Sequence, residues 1–196
     1  MIRPAQELDR RQAVPALIGA DQDFLIVSGL GGPTKDIAAI TADGDHVFSM
    51  AGAIGAASSI GLGLALARPP RRVLVVTGDG ELLMNLGALA TIAMVAPQNL
   101  ALVCVDNGRY GETGNQESHT LRIVDLEQVA RGCGLTAVLS INSEAEIEAG
   151  SDLIRNREGP VFVLLRVSGS EPPAGKRDFN ASAARLRFKT ALGDGR

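Results

Sequence analysis

Short, nearly unbroken apolar runs alternate with helix-like stretches along most of this chain. Six runs predict strands, at residues 24–28, 46–49, 72–77, 100–106, 136–139 and 161–167. Several are continuous aliphatic and β-branched sequence, the pattern of strands covered on both faces. Helices are predicted at 5–18, 34–40, 55–67, 82–95, 126–132, 144–156 and 181–192. Such alternation implies an α/β fold: a doubly wound, mostly parallel six-stranded sheet with helices on both faces and right-handed crossovers. The segment 111–123 carries Gly, Thr, Asn, Gln and Ser without a period and follows a strand, the usual place for ligand-binding loops in such sheets. The stretch SGSEPPAGK, residues 168–176, reads as a linker before a basic amphipathic helix, ARLRFKTAL.

Composition sharpens this picture. Hydrophobic residues make up 45% of the chain but aromatic residues only 3%, so the core has to be built from Ala, Val, Leu and Ile. The length suits a single domain over 1–196, with 168–196 as linker plus terminal helix. Net charge is −3 and no basic stripe or aromatic interleaving occurs, which argues against nucleic acid as a partner. The longest apolar stretch, around 54–67, is interrupted by Gly and Ser and is too short to span a bilayer. The first residues are mixed in charge and lack the apolar centre of a signal peptide. Cys104, inside LALVCV, reads as a buried thiol, and Cys133 has no metal-ligand spacing to it. A reducing, cytoplasmic setting without membrane contact is therefore expected.

Candidate chemistry gathers at strand ends. Gly78-Asp79-Gly80 directly follows the run RVLVVT. A strand that turns straight into a helix presents unpaired backbone N–H groups suited to phosphate, and Asp79 adds a hard oxygen suited to Mg²⁺. Taken alone, the motif reads first as a plain helix start capped by Asp, with glycines easing the turn. Asp106-Asn107-Gly108 follows the run LALVCV. Asn-Gly is a strong hairpin signal, yet the polar, Gly-broken sequence after it offers no alternating second strand. The pair says more than either member, because residues 81–106 between Gly80 and Asn107 make one β-α-β unit that sets the two strand ends side by side. Gly52-Ala53-Ile54-Gly55 is a Gly-rich helix entrance. Ser28 to Thr34, with Gly31 and Gly32, is a second loop able to face a phosphate, but it fails as a dinucleotide fingerprint. Of the two histidines, His46 reads as the end of a buried strand, and His119 lies in the loop beyond Asn107.

Gly-Asp-Gly followed by a helix, a strand and Asn resembles the motif of the thiamine-diphosphate enzymes. The resemblance implies the thiamine-diphosphate-binding fold, with thiamine diphosphate and Mg²⁺ as cofactors. Asp79, the Asn107 side chain and the Arg109 backbone carbonyl would ligate the metal. Gly31, Gly32, Gly78, Gly80 and the backbone of Glu81 would face the cofactor on one side, and Tyr110 and Gly111 on the other. Ile54 matches the apolar residue against which the cofactor bends, and the Gly52 carbonyl would accept from the aminopyrimidine. Two positions depart from the pattern. Asp106 stands where the first Asn of a pair is common, and Glu81 stands where Ser or Ala is common, so its carboxylate has to turn away from the diphosphate.

Further stretches, VSGLGGPTKDI, GAASSIGLGLALA, GDGELLMNLGALATI and DNGRYGETGNQ, resemble the decarboxylases of sulfopyruvate and phosphonopyruvate. They imply the β-type, diphosphate-binding half of an enzyme that decarboxylates a small C3-acidic 2-oxo acid to an aldehyde and CO₂. A separate pyrimidine-binding α subunit would supply the activating glutamate, in a hetero-oligomer. An acidic substrate tail wants a cation, for which Lys35, Arg109 and Arg122 are available. Thr113, Gln116 and His119 are candidate substrate contacts. The alternatives are another thiamine reaction on the same half-site, acetolactate-type carboligation or 2-oxoacid oxidation, and a non-catalytic binding module.

Overall fold

The computed structural model describes residues 8–174 and 180–193. The chain runs through β1 (Phe24–Ser28), β2 (Val47–Ser49), β3 (Arg72–Gly78) and β4 (Leu100–Asp106). A small antiparallel hairpin follows, β5 (Arg109–Tyr110) with β6 (Gln116–Glu117), and then β7 (Ala137–Ile141) and β8 (Val161–Arg166). Six strands form one sheet in the order β2-β1-β3-β4-β8-β7, and every pairing in it is parallel. The predicted "mostly parallel" sheet is thus wholly parallel among the described residues.

Alternating side chains of the central strands feed two cores. On one face α1 (Arg10–Ile18), α2 (Gly32–Thr41) and α7 (Ile147–Asn156) press Val14, Leu17, Ile37 and Ile154 onto Ile26, Leu74, Val76 and Val103. On the other lie α3 (Ala57–Ala67), α4 (Asp79–Leu83), α5 (Gly87–Val95), α6 (Leu126–Gly132) and α8 (Ala181–Ala191). Their Ala57, Leu89, Ile92, Leu126 and Phe188 cover Leu25, Val73, Val75, Leu102 and Cys104. Each fully buried Leu, Ile or Val contributes roughly 1.5–3 kcal/mol of transfer free energy, so these aliphatic layers do the work that aromatic residues do elsewhere. Cys104 is fully buried, as its run predicts.

Three elements differ from expectation. The single helix predicted over 82–95 is broken into α4 and α5. Across the break the bonds tighten to the i→i−3 type, Met84 N–H to the Glu81 carbonyl and Asn85 N–H to that of Leu82, while the Asn85 side chain leaves the helix to bind elsewhere. The segment 111–123 is not structureless. It contains the turn and second strand of the β5–β6 hairpin, then a 3₁₀ turn at His119–Leu121. The hairpin opens after Asn107-Gly108 rather than on it. The first predicted helix starts at Arg10, and its residues 5–7 lie outside the described set, as do the last two residues of the 168–176 linker. His46 immediately precedes β2 and is buried. The C-terminal α8 folds back onto the body, with Phe188 5.7 Å from Phe48 between ring centroids and Arg187 Nη2 3.0 Å from Asp43.

Candidate active site

The chain passes from β1 to β2 on one side and then to β3 on the other, so the sheet reverses its winding between β1 and β3. A crevice opens at the carboxyl ends of strands at such a point, and ligands of doubly wound sheets bind there. The β1–α2 loop, the turn before α3, the β3–α4 junction and the β4–β5 junction all meet in one cleft.

Most of the predicted residues line it. Gly31 and Gly32 come from the first loop and Ile54 from the second. Gly78, Asp79, Gly80 and Glu81 come from the third, and Asn107, Arg109, Tyr110, Gly111 and Thr113 from the fourth. Lys35 also faces it. Gly52 is exposed and stands apart from this lining, as do Gln116 and His119. Gln116 is engaged within the hairpin with Thr113, and His119 Nδ1 is 3.2 Å from the Tyr110 hydroxyl. Arg122 is spent on an exposed pair with Glu117 at 2.6 Å.

Asp79 is the buried centre of the cleft floor. Ser118 donates its hydroxyl to Asp79 Oδ2, and the Thr120 hydroxyl lies 3.1 Å from the same atom. Thr120 is also 2.7 Å from Asp106 Oδ1, and Asp106 takes the Gly108 N–H at 3.0 Å. Two carboxylates on adjacent strand ends repel each other, and hydroxyl donors placed between them offset that repulsion. Asn107 Oδ1 accepts from the Arg109 N–H at 3.1 Å, an Asx turn that sets the direction of the amide. Tyr110 packs so closely over the helix start that a Cβ on Gly80 would lie 2.6 Å from its ring. Burial and the nearby Asp79 charge push the Tyr110 phenol up from its ordinary value.

The donor set fits the expected groups. Carboxylate, amide and hydroxyl oxygens surround Asp79, and among the described residues no thiol or imidazole lines the cleft. That is the environment of a hard cation such as Mg²⁺. Neither α2 nor α4 has its first turn capped by a side chain, so backbone N–H groups there remain suited to an anion.

Sequence reasoning missed Ser118, Thr120 and Arg10. Arg10 is buried, places Nε 3.1 Å from Asp36 Oδ1 with Nη2 on the other oxygen, and lines the cleft beside Gly32. Burial pushes the Asp36 carboxyl up against the opposing pull of Arg10. No local pattern marks these residues, because each gains its role from an element distant in sequence.

Comparison with known proteins decides the family. Residues 41–165 match the model of the thiamine pyrophosphate enzyme C-terminal TPP binding domain. The chain belongs to the thiamine pyrophosphate enzymes. It is 36% identical over 181 residues to the sulfopyruvate decarboxylase subunit beta of Methanothermobacter thermautotrophicus, spanning 92% of this chain and 94% of that one. Over 120 residues it is 47% identical to the corresponding subunit of Methanocaldococcus jannaschii, spanning 61% of this chain and 63% of that one. It is 34% identical to the phosphonopyruvate decarboxylase of Streptomyces viridochromogenes and spans 48% of that protein. An X-ray structure from Mycobacterium smegmatis, reported as a thiamin diphosphate-dependent enzyme, superposes with a TM-score of 0.71 at 18% identity, over 87% of this chain and 35% of that one, which establishes the shared fold.

Proposed function

We propose that this chain is the diphosphate-binding half, a single domain, of a 2-oxo acid decarboxylase working in the cytoplasm on a C3-acidic substrate such as sulfopyruvate or phosphonopyruvate. The observation that carries the reading is the Asp79–Asn107 pair on adjacent strand ends within the family's matched region. Similarity to the Methanothermobacter subunit over nearly its whole length supports the reaction class. Asp79, Asn107 and the Arg109 carbonyl would hold Mg²⁺ against the diphosphate, with the Ser118 and Thr120 hydroxyls fixing the Asp79 carboxylate. Bound thiamine diphosphate supplies a carbon nucleophile and an electron sink for the departing CO₂. Ile54 would bend the cofactor, and Gly52, at the open rim, would meet its pyrimidine end where a second chain completes the site. Lys35 and Arg109 bring positive charge to the cleft beside Thr113, a suitable place for the acidic tail of the substrate.

A separate pyrimidine-binding α subunit is part of this proposal. Helices α3 and α5 are apolar almost all round, a composition that calls for cover on more than one face. Yet Leu66, Met84 and Met94 on or between them are exposed. That surface is the natural seat for the partner, which would bring the activating glutamate.

The test is thermal unfolding of the chain, alone and with its co-expressed partner, with and without thiamine diphosphate and Mg²⁺. Ligand at a hundred times its Kd stabilises the folded state by about 2.7 kcal/mol, and Asp79→Ala should abolish that gain. No shift in either form, or an unchanged shift in Asp79→Ala, defeats the reading. Aldehyde rather than acyloin or acyl-CoA as product separates decarboxylation from the related chemistries.

A further inference from the structure

Glu81 stands where a carboxylate has no evident reason to be. It is buried in the first turn of α4, two residues from Asp79, in a cleft suited to an anion. Its oxygens are taken up by the protein. Oε2 accepts from the Leu30 N–H at 3.0 Å and from the Thr77 hydroxyl at 2.9 Å, and Oε1 accepts from the Gly55 N–H at 3.3 Å. The space for it is made by a glycine, since a Cβ on Gly29 would lie 1.7 Å from Oε2.

Gly55 is the point of interest. It has φ +92° and sits third in a turn closed by the Ala56 N–H on the Ala53 carbonyl at 3.0 Å. Ala53, with φ 59°, is left-handed as well. Ile54 therefore projects from between two residues in backbone conformations that L side chains seldom hold without support. The support comes from one element. Glu81 grips the Gly55 N–H, and Asn85, four residues along, donates Nδ2 to the Gly55 carbonyl at 3.0 Å. Both faces of the Gly55 link are thus fastened to α4 and the turn that ends it. The break between α4 and α5 frees the Asn85 side chain for this contact.

We propose that Glu81 is a positioning residue that, together with Asn85, sets the height and orientation of Ile54 in the cofactor cleft and ties that turn to the β1–α2 loop through Leu30. The proposal rests on the reading of Ile54 as the residue against which the cofactor bends. Only a carboxylate suits the position, because all three partners are donors. Glutamine keeps the volume but turns an NH₂ toward one of them. The Thr77 hydroxyl can rotate to accept from it; the Leu30 and Gly55 N–H groups cannot. Glu81→Gln therefore frees one of the two loops while leaving the packing intact.

The test compares wild type, Glu81→Gln, Asn85→Ala and Ile54→Ala in the full chain assembled with its partner. Amide hydrogen exchange at Gly55 and Leu30, read without cofactor, should rise by about tenfold at one or both in Glu81→Gln, as expected when a buried N–H loses its acceptor. At saturating thiamine diphosphate and Mg²⁺, kcat should fall about tenfold or more, since misplacement of a positioning group is felt in the chemical step. The cofactor Kd should move less than about threefold, because Asp79, Asn107 and the Gly78–Gly80 backbone, which would hold the metal and diphosphate, are untouched. Glu81→Gln in the Ile54→Ala background should cost far less than in wild type, a non-additivity that a general loss of stability would not give. Asn85→Ala buries no new polar group and should repeat the kcat loss if Glu81→Gln folds poorly. Wild-type exchange and kcat in Glu81→Gln overturn the proposal. So does a weakened cofactor Kd with kcat retained, which would place Glu81 at the phosphate end. A wild-type complex that binds no cofactor instead defeats the reading under Proposed function and the role of Ile54 with it, while the exchange measurement still shows whether Glu81 holds Gly55.

Discussion

Individual residues in this site are held by donors and by absent atoms as much as by packing. Asp79 is kept in place by Ser118 and Thr120, and Glu81 by Leu30, Thr77 and Gly55. Gly29 matters for what it lacks. Gly29→Ala should drive the Glu81 carboxylate from its seat and destabilise the fold by about 1–3 kcal/mol, the usual cost of overpacking. Calorimetry would show a Tm lower by roughly 2–4 °C for each kcal/mol; an unchanged Tm would mean that Glu81 has room to move. That Asp79 and Asn107 reach one cleft was legible in the sequence, because each follows an apolar run that marks its own strand, and the distance between them fixes a β-α-β unit. Glu81 was legible only as a departure whose carboxylate had to turn aside. The donors it found could not be read, since Leu30 and Gly55 contribute backbone groups and a backbone N–H has no letter. Ser118 and Thr120 were hidden for a different reason: their hydroxyls stand among other polar loop residues, and only the fold brings them onto Asp79, about 40 residues away in sequence.

At the scale of elements, β1, β4 and α6 fall at their predicted bounds, because long aliphatic runs and a clear Asp125 cap leave little freedom. The α4–α5 break escaped prediction. Apolar residues keep a helical period from Leu82 to Val95, and the break coincides with a tertiary contact, Asn85 Nδ2 on the Gly55 carbonyl, that no local pattern marks. A 3₁₀ turn, Glu144–Glu146, leads into α7 and opens with a capping box in which Glu146 accepts from the N–H groups of Asn142 at 2.7 Å and Ser143 at 2.9 Å. The Asn142 N–H is the main reason the Glu146 carboxyl lies below its ordinary value, with burial opposing and Ser143 assisting. A depressed folded-state pKa means that the unfolded chain binds the proton more readily. The stabilisation is therefore present above the unfolded value of about 4.3 and is lost as pH falls through the lower folded one. Glu146→Gln should flatten the acid limb of stability below about pH 5, where the carboxylate of the unfolded wild-type chain begins to take up its proton. At neutral pH the cost should be about 0.5–1 kcal/mol, a capping contribution at the low end because the group is partly solvated. Denaturant titrations of both proteins across that pH range would check it. Equal acid sensitivity would remove Glu146 from the account.

The whole molecule presents a two-faced sheet whose second face carries helices too apolar for water. Met94 is 81% exposed at the end of α5. Met94→Asp should abolish or weaken co-purification with the proposed α subunit about tenfold or more, since a charge placed at the proposed apolar interface would leave desolvation uncompensated. The chain's own Tm should change little, because the side chain already meets solvent. Retained co-purification would move the partner to another surface. The fold class was predictable from strand–helix alternation, and the meeting of the strand-end motifs from their spacing. The uncovered apolar surface was not, because an apolar helix reads the same whether its second face meets the body or another protein. The parallel sheet has one more consequence. Since the site loops all leave the carboxyl ends of strands, the returning connections lie at the opposite end, among them the exposed Pro69-Pro70-Arg71 before β3. A tag, dye or affinity handle inserted there would sit a full strand length from the cofactor, making that edge the natural point for immobilising the protein without touching its chemistry.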